Sequence, residues 1–414
     1  MKRENPLVVV LKWLLKMILL VAIIAGTFSY AMFQGEFVSW FLFYSVLLII
    51  SMNVLYGLIP IGAFRVMRTF SKNAYIAGDK LRVQVTLTRR FPLPLFYLKV
   101  TDVIPGRLAK QIDEGELRGL FYPLFQRMFS FTYEIPSLPR GEHTFEGVIL
   151  ETDDMFGLFK KRRRLNAEDR LIVYPYYEEL QHWGAYNERG SEADLSQVNA
   201  VEDMTAVVGA REYVPGDRLA SVDWKLTARK NQLMTKEFEE SVGQSLLLVF
   251  NENTTERSED FERAVELVAS FVMYSSQRQV PYGLWSIGER AAMYPLAYGR
   301  DQERAIMDHL AKVSPSNRGR FADQLRAGEE QISAGTKVVI VTTELGDAEL
   351  ERLRVLRQRR MSIDVCLVRS DGLMSQWEKR CFEALRRSGV NTYLVTRESV
   401  NEAMKEGVRN VSSS

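Results

Sequence analysis

Two long apolar runs near the start constrain this chain more than any other feature. From Leu7 to Phe33 charge interrupts only at Lys12 and Lys16, and a second apolar run extends from Phe37 to about Ile61. A helix needs about 20 apolar residues to cross the hydrocarbon core of a bilayer, and each run meets that length. A secretory signal has a shorter apolar region and a small-x-small cleavage site, and here a second run follows at once, so two spans are expected. Lys12 and Lys16 are four residues apart, on one helical face, where their stems can carry the ammonium groups toward lipid phosphates. Lys2 and Arg3 precede the first run, Arg65, Arg68 and Lys72 follow the second, and the connection Gln34-Gly35-Glu36 carries no positive charge. By the positive-inside rule both termini are expected in the cytoplasm, with a multi-pass hairpin in the cell membrane and the lipid bilayer as a partner.

The remaining chain has room for more than one domain core. Its charges balance, 54 basic against 52 acidic residues for a net +2, which lacks the basic excess of a nucleic-acid binder. The two cysteines, Cys366 and Cys381, make no disulfide framework and read as buried small hydrophobes in a reducing compartment.

From about Val66 to Tyr174 the pattern is that of strands. Leu81, Val83, Val85 and Leu87 alternate with Arg82, Gln84, Thr86 and Thr88, the period of a half-buried strand. Further strands are expected at Phe96–Val103, Phe129–Ile135 and Thr144–Glu151, separated by prolines at 92, 94, 105, 123, 136 and 139. Short strands with regular turn signals imply a β-sandwich-like domain over 65–175. Asp153-Asp-Met-Phe-Gly-Leu-Phe159 reads as a turn that tucks in Phe156 and Phe159, with Gly157 at a tight position. Its Asp pair lacks neighbouring oxygen ligands at calcium spacing. The basic run Lys160-Lys-Arg-Arg-Arg164 reads as a solvated strand whose charge discourages edge pairing, or as a contact for anionic headgroups.

After Phe238 the pattern changes. Ser245–Phe250 and Lys337–Thr342 are continuous apolar runs, as expected of strands buried on both faces. Strands are also expected at Pro281–Ile287, Ala291–Leu296, Ser362–Val368 and Thr392–Val395. Helices are expected from about Ser258 (with Phe261, Val265, Val268 and Val272 as its stripe), Arg300–Val313, Phe321–Ser333, Asp347–Arg360 and Gln376–Arg387. Such alternation predicts a doubly wound α/β domain over 241–414, whose ligands would lie at the carboxyl ends of the strands, after Phe250 and Thr342. The segment Asn251-Glu-Asn-Thr-Thr255 together with Thr343-Glu344 resembles a von Willebrand factor A-type domain. That resemblance implies a metal-ion-dependent adhesion site with Asn251, Asn253 and Thr255 at its first three ligand positions. Ser314–Gly319 corresponds to the loop that supplies a further Thr, and Glu344 could stand in for the acidic residue near the fourth strand. Asn in place of the leading Asp removes a formal charge that magnesium needs, so a degenerate site with no cofactor is expected.

The segment 176–240 links the two domains and holds the densest mixture of charge and aromatics: Arg211, Glu212, Tyr213, Gly216, Asp217, Asp223, Trp224, Lys225, Ala228 and Arg229. Pro215-Gly-Asp217 followed by Asp223-Trp-Lys225 superficially suggests a metal-dependent hydrolase, with paired carboxylates and a lysine beside an attacking water. The spacing is short and the local charge is balanced, which argues against phosphodiester chemistry. His143, His182 and His309 lie in separate segments, none beside a nucleophile motif, and no phosphate-cradling Gly-x-x-x-x-Gly-Lys-Ser/Thr loop occurs. The structural reading is a Pro-Gly-Asp turn, Trp224 as a buried apolar anchor, and arginine–carboxylate pairs. No enzyme activity is expected.

Arg211-Glu-Tyr-x-x-Gly-Asp217, Asp223-Trp-Lys225, Ala228-Arg229, Leu233 and Phe238 together resemble the signature of the bacterial DUF58 family, a domain of unknown function. The resemblance extends to the two leading spans (1–64), the strand-rich segment and the A-type domain. Family members usually carry an arginine pair where this chain has Ala220 and Ser221, which puts any partner contact made there in doubt. The resemblance implies a membrane-tethered adaptor or scaffold encoded beside, and working with, a MoxR-class AAA+ ATPase, with a transglutaminase-like membrane protein nearby. A divalent-cation-dependent receptor domain is the alternative.

Overall fold

The computed structural model describes residues 6–92, 94–154, 160–181, 183, 207–212, 224–230, 232–238, 245–254, 258–289, 291–317, 319–332, 336–358, 361–398 and 400–409. The chain divides into two compact units, Met1–Val173 and Tyr174–Ser414.

The first unit begins with helices Pro6–Gln34 and Phe37–Gly57. Leu15–Gln34 and Phe37–Gly57 are long and apolar enough to cross a membrane. Gly35 turns the chain between them at φ +66°, a conformation that favours glycine. Phe28 packs on Trp40 and Phe43 across the pair, with ring centroids 6.4 and 5.5 Å apart.

Two antiparallel sheets follow. One holds β1 (Phe64–Phe70), β3 (Leu81–Arg89) and β6 (Met128–Ile135) in the order β1-β3-β6. The other holds β2 (Tyr75–Ile76), β4 (Leu98–Val103), β5 (Arg118–Phe121), β7 (Gly141–Asp153) and β8 (Lys160–Tyr174) in the order β2-β8-β7-β4-β5. Leu81, Val83, Val85 and Leu87 are fully buried, as their alternation predicts, and meet Val100, Val148, Leu150 and Val173 of the second sheet in one core. The basic run begins β8, which has β7 on one side and only the two-residue β2 on the other. Arg162 and Arg164 pair there with Glu151 and Glu146 on β7. Met155 to Phe159 lie outside the described residues, and with them the expected packing of Phe156 and Phe159.

Arg68, which the sequence presents as one of several flanking charges, is instead buried. Its guanidinium meets Asp102 at 2.6 Å and Asp169 at 2.9 Å, and Tyr133 donates its hydroxyl to Asp102 at 2.7 Å. Burial alone would lower the Arg68 pKa, but the two carboxylates outweigh it and the net shift is upward.

In the second unit β9 (Val207–Glu212) and β10 (Met234–Phe238) form an antiparallel ribbon with the helix Trp224–Lys230 between them in sequence. The main sheet contains β11 (Leu246–Asn251), β12 (Tyr282–Ile287), β13 (Ala292–Ala297), β14 (Lys337–Thr342), β15 (Ser362–Val368) and β16 (Asn391–Val395). Their order is β13-β12-β11-β14-β15-β16, parallel except for the edge strand β13. Helices cover both faces, and β11 and β14 are buried along their whole length, as apolar runs require.

Three details depart from expectation. The helix Glu259–Gln277, capped by Ser258, buries Ala264, Leu267, Phe271 and Tyr274 as well as its expected stripe. A strap beginning at Tyr174 packs on it: Glu178 N donates to Ser270 at 2.9 Å and Trp183 packs on Phe271 at 5.0 Å, while Tyr174 donates to Asp308 of the helix Arg300–Lys312 at 2.7 Å. The helix from Phe321 ends at Gly328, ahead of a 3-10 turn at Glu329–Gln331. A Cβ at Gly328 would lie 2.3 Å from the Trp285 ring, so the helix closes against the sheet only through glycine. The helix Val400–Arg409 was not anticipated.

Candidate functional site

The winding of the main sheet reverses between β11 and β14, so the crevice beyond their carboxyl ends is where such a fold holds ligands. A cavity of about 480 Å³ opens there, lined by Asn251, Asn253, Arg320, Glu344, Arg369 and Trp377 among others.

Asn251 ends β11. Its Nδ2 donates to Thr342 Oγ1 at 3.0 Å, and its Oδ1 accepts from the Asn253 backbone at 3.0 Å. Thr342 ends β14 and donates its hydroxyl to the Glu344 carbonyl at 2.7 Å. Asn251 and Thr342 therefore stitch together the strands that flank the crevice. The loop after β11 is zipped further through an Asn253–Ser316 bridge, with Thr254 N to Ser316 O and Ser316 N to Glu252 O both at 2.9 Å. Asn253 donates Nδ2 to Gln324 at 3.2 Å, while its Oδ1 is buried without a hydrogen-bond partner among the described residues.

On the other wall Arg369, just past β15, bridges Asp260 at 3.3 Å and Glu378. Ser375 and Glu378 form a reciprocal capping box at the start of helix Gln376–Arg387. Burial would raise both carboxyl pKa values. For Asp260 the Ser370 hydrogen bonds and Arg369 outweigh burial, for Glu378 the Ser375 backbone and Arg369 do so, and both values fall below normal. Trp377, which lines the cavity, remains half exposed.

The donor set does not fit a divalent cation. Magnesium takes charged oxygens in near-octahedral order. Here the first position is a neutral amide whose oxygen is already engaged, and the second offers only Asn253 Oδ1. The third, Thr255, lies outside the described residues. Glu344 is exposed and contributes to the cavity wall, but no group of three or more His, Cys, Asp or Glu residues among those described is arranged to hold a metal.

A buried carboxylate sits one residue along from Asn251. Glu252 is buried, accepts from Ser286 Oγ, and lies 3.7 Å from His309 Nε2. Only glycine fits at position 288, where a Cβ would meet Glu252 Oε2 at 2.2 Å. This is not a nucleophilic triad: Ser286 is fully buried and donates to the acid, not to the histidine. Sequence inspection missed the cluster because its members come from three elements, and the only local hint is the alternation of Glu252 with the two asparagines.

The signature residues are only partly placed. Arg211 and Glu212 lie on β9, opposite Thr235 and Met234. Tyr213, Gly216, Asp217, Ala220, Ser221 and Asp223 lie outside the described residues. Trp224, Lys225, Ala228 and Arg229 lie on the helix Trp224–Lys230, which buries no side chain. Trp224 is two-thirds exposed, which corrects the expectation of a buried anchor. The helix is only seven residues long, and its hydrogen bond to β10 comes from Thr227, which accepts from Met234 N at 3.0 Å. The expected arginine–carboxylate pairs of this segment involve residues outside the described set. Cys366 and Cys381 are buried, and burial pushes both thiols up.

Residues 209–373, which include the ribbon and most of the sheet, match the family model described as protein of unknown function DUF58. The chain is 38% identical over 306 residues to the uncharacterized protein YeaD of Bacillus subtilis (strain 168), covering 72% of this chain and 76% of that one. Among solved structures, the bacterial hydrophobin BslA matches with a TM-score of 0.18 at 13% identity, over 27% of this chain and 98% of its own. The PilB minor pilin of Streptococcus sanguinis matches with a TM-score of 0.30 at 8% identity, over 77% and 87%. Likenesses that low say nothing about this fold. The relative matched across about three quarters of both chains does carry weight: the chain belongs to the DUF58 family of proteins of unknown function.

Proposed function

We propose that the chain is a membrane-anchored adaptor that presents the crevice of its second unit, facing the cytoplasm, to a protein partner. The two apolar helices supply a multi-pass anchor, and the basic flanks favour both termini on the cytoplasmic side. The strand order and antiparallel edge strand favour a von Willebrand factor A-like domain, in which this crevice is the binding face.

One observation carries the reading. The crevice sits at the topological switch point and its lining exposes Trp377, while Asn251 at its floor is tied to Thr342 and to the Asn253 backbone. An exposed aromatic side chain in a polar pocket suits recognition of a protein surface. The family resemblance points to a MoxR-class AAA+ ATPase as the partner. The engaged Asn251 gives no support to a cation-dependent receptor.

The test is co-purification of the tagged full-length chain, in detergent, with the MoxR-class ATPase from the same genome, in nucleotide-free, ADP and ATP-analogue states. Retention in at least one state is expected. Absence of retention in all three would overturn the reading.

A further inference from the structure

The end of the β-sandwich nearest the two apolar helices exposes large apolar side chains that are held in place by a buried arginine. Leu58, Phe91, Tyr122, Leu124, Phe125 and Met128 are each more than half exposed. They come from three separated stretches, and the strand register brings these stretches to one end of the unit. Phe64, seven residues beyond the second helix, pairs with Arg89, and Thr88 pairs with Met128. The segments 90–92, 94–97 and 122–127 therefore leave the sheet at the end where the helix enters it. Leu98 opposite Phe121 places the start of β4 and the end of β5 there too.

The helix end touches this surface directly. Tyr56 stacks on Phe96 with centroids 5.2 Å apart and hydrogen-bonds Thr152 at 2.9 Å. Lys161 Nζ donates to the carbonyls of Tyr56 at 3.0 Å and Ile59 at 2.6 Å, closing the last helical turn with a cation where the helix dipole favours one. The 21 residues of Phe37–Gly57 span about 31 Å at 1.5 Å per residue, close to the hydrocarbon thickness, so Tyr56 falls at its boundary.

The exposed loops are built, not loose. Arg89 is buried, donates to the carbonyls of Gln126 and Leu124 at 2.7 Å each, and lies over the Phe64 ring at 5.9 Å. Leu95 and Leu124 exchange backbone hydrogen bonds at 3.4 and 3.0 Å, joining the two loops, and Leu124 is held at φ +40°. A buried cation thus fixes the backbone while Tyr122, Leu124 and Phe125 project away from the core. Exposed Arg90 and Arg127 flank them. Aromatic and aliphatic tips ringed by arginines match the boundary between acyl chains and phosphates.

We propose that this end of the sandwich is a lipid-binding collar. Loop residues 90–92, 94–97 and 122–127 enter the interfacial layer of the same bilayer that holds the helices, with Phe91, Leu124 and Phe125 among the upper acyl chains and Arg90 and Arg127 at the phosphates. The occupant is lipid because the surface is continuous with helices of bilayer length, on which the inference depends. The collar would add a direct hold on the membrane to the Tyr56 and Lys161 contacts that already join the helix to the sandwich.

Both native cysteines are buried, so single introduced cysteines can carry an environment-sensitive fluorophore in the full-length chain reconstituted into phosphatidylcholine–phosphatidylglycerol vesicles. Three positions are compared: Phe125→Cys in the collar, Leu48→Cys within the second helix, and Glu134→Cys at the far end of the sandwich. The expected result is loss of the Phe125→Cys signal to lipids carrying a nitroxide high on the acyl chain, with loss at Leu48→Cys to a deep nitroxide and none at Glu134→Cys. A deep-quenched Leu48→Cys with an unquenched Phe125→Cys overturns the collar while leaving the anchor intact. An unquenched Leu48→Cys overturns the anchor and the collar with it. Equal quenching at Phe125→Cys and Glu134→Cys also overturns the collar.

Discussion

Asn251 Nδ2 donates to Thr342 Oγ1 at 3.0 Å, joining β11 to β14 where the winding of the sheet reverses. The same side chain spends its oxygen on the Asn253 backbone, so both ends of the amide are engaged in structural hydrogen bonds. Isothermal titration of manganese into the full-length chain should therefore give no saturable heat that Asn251→Ala removes. Asn251→Ala should instead cost about 1–3 kcal/mol of stability, because Thr342 and the Asn253 amide lose a buried partner. Saturable metal heat abolished by this substitution would contradict the account.

Arg369 with Asp260 and Glu378 makes one wall of the crevice acid-sensitive. Both carboxyl groups have folded-state pKa values below their ordinary 3.8 and 4.5. A depressed carboxyl stabilises the folded state above its unfolded pKa, and that contribution is lost as pH falls through the folded value. Stability of the second unit should thus fall as pH drops below about 4.5. Arg369→Gln should lower the melting temperature more at pH 7 than at pH 3, because at pH 3 part of the stabilisation is already lost. A melting-temperature difference independent of pH would rule out this linkage.

The Arg68–Asp102 pair has both side chains fully buried. Arg68→Ala should cost about 3–5 kcal/mol, since Asp102 would be left charged and poorly compensated. The double substitution Arg68→Met with Asp102→Leu should cost less than Arg68→Met and Asp102→Leu summed. Chemical denaturation of wild type, the two single variants and the double variant, in the full-length chain, measures the coupling, and additive costs would contradict it.

Cys366 and Cys381 are buried, and burial raises both thiols. Thiol reagents should label neither in the native chain and both after denaturation. Rapid native labelling of either would show that its surroundings open.

Much of the architecture could be read locally. The alternation through Leu81–Leu87 places one face of β3 in the core, and the apolar runs ending at Phe250 and Thr342 mark the central parallel strands and hence the crevice. Features that depend on long-range register could not be read this way. Arg68 looks like a surface charge until the strand pairing brings Asp102 and Asp169 to it. Glu252, Ser286 and His309 are separated by 34 residues or fewer between neighbours, yet they meet only because β11 and β12 are adjacent and a helix packs over them. Trp224 differs for a related reason: an apolar ring suggests burial, yet the ring is two-thirds exposed, and the contact the short helix makes with β10 runs through Thr227 and Met234.

The most direct test of the adaptor reading is the affinity of the full-length chain, in lipid nanodiscs, for the MoxR-class ATPase, compared between wild type and Trp377→Ala. An exposed aromatic that anchors an interface is worth about 2 kcal/mol or more, so Kd should rise by roughly 30-fold while the melting temperature stays unchanged. Wild-type binding that Trp377→Ala leaves intact would remove the crevice from the contact, and absence of wild-type binding in every nucleotide state would contradict the adaptor role itself.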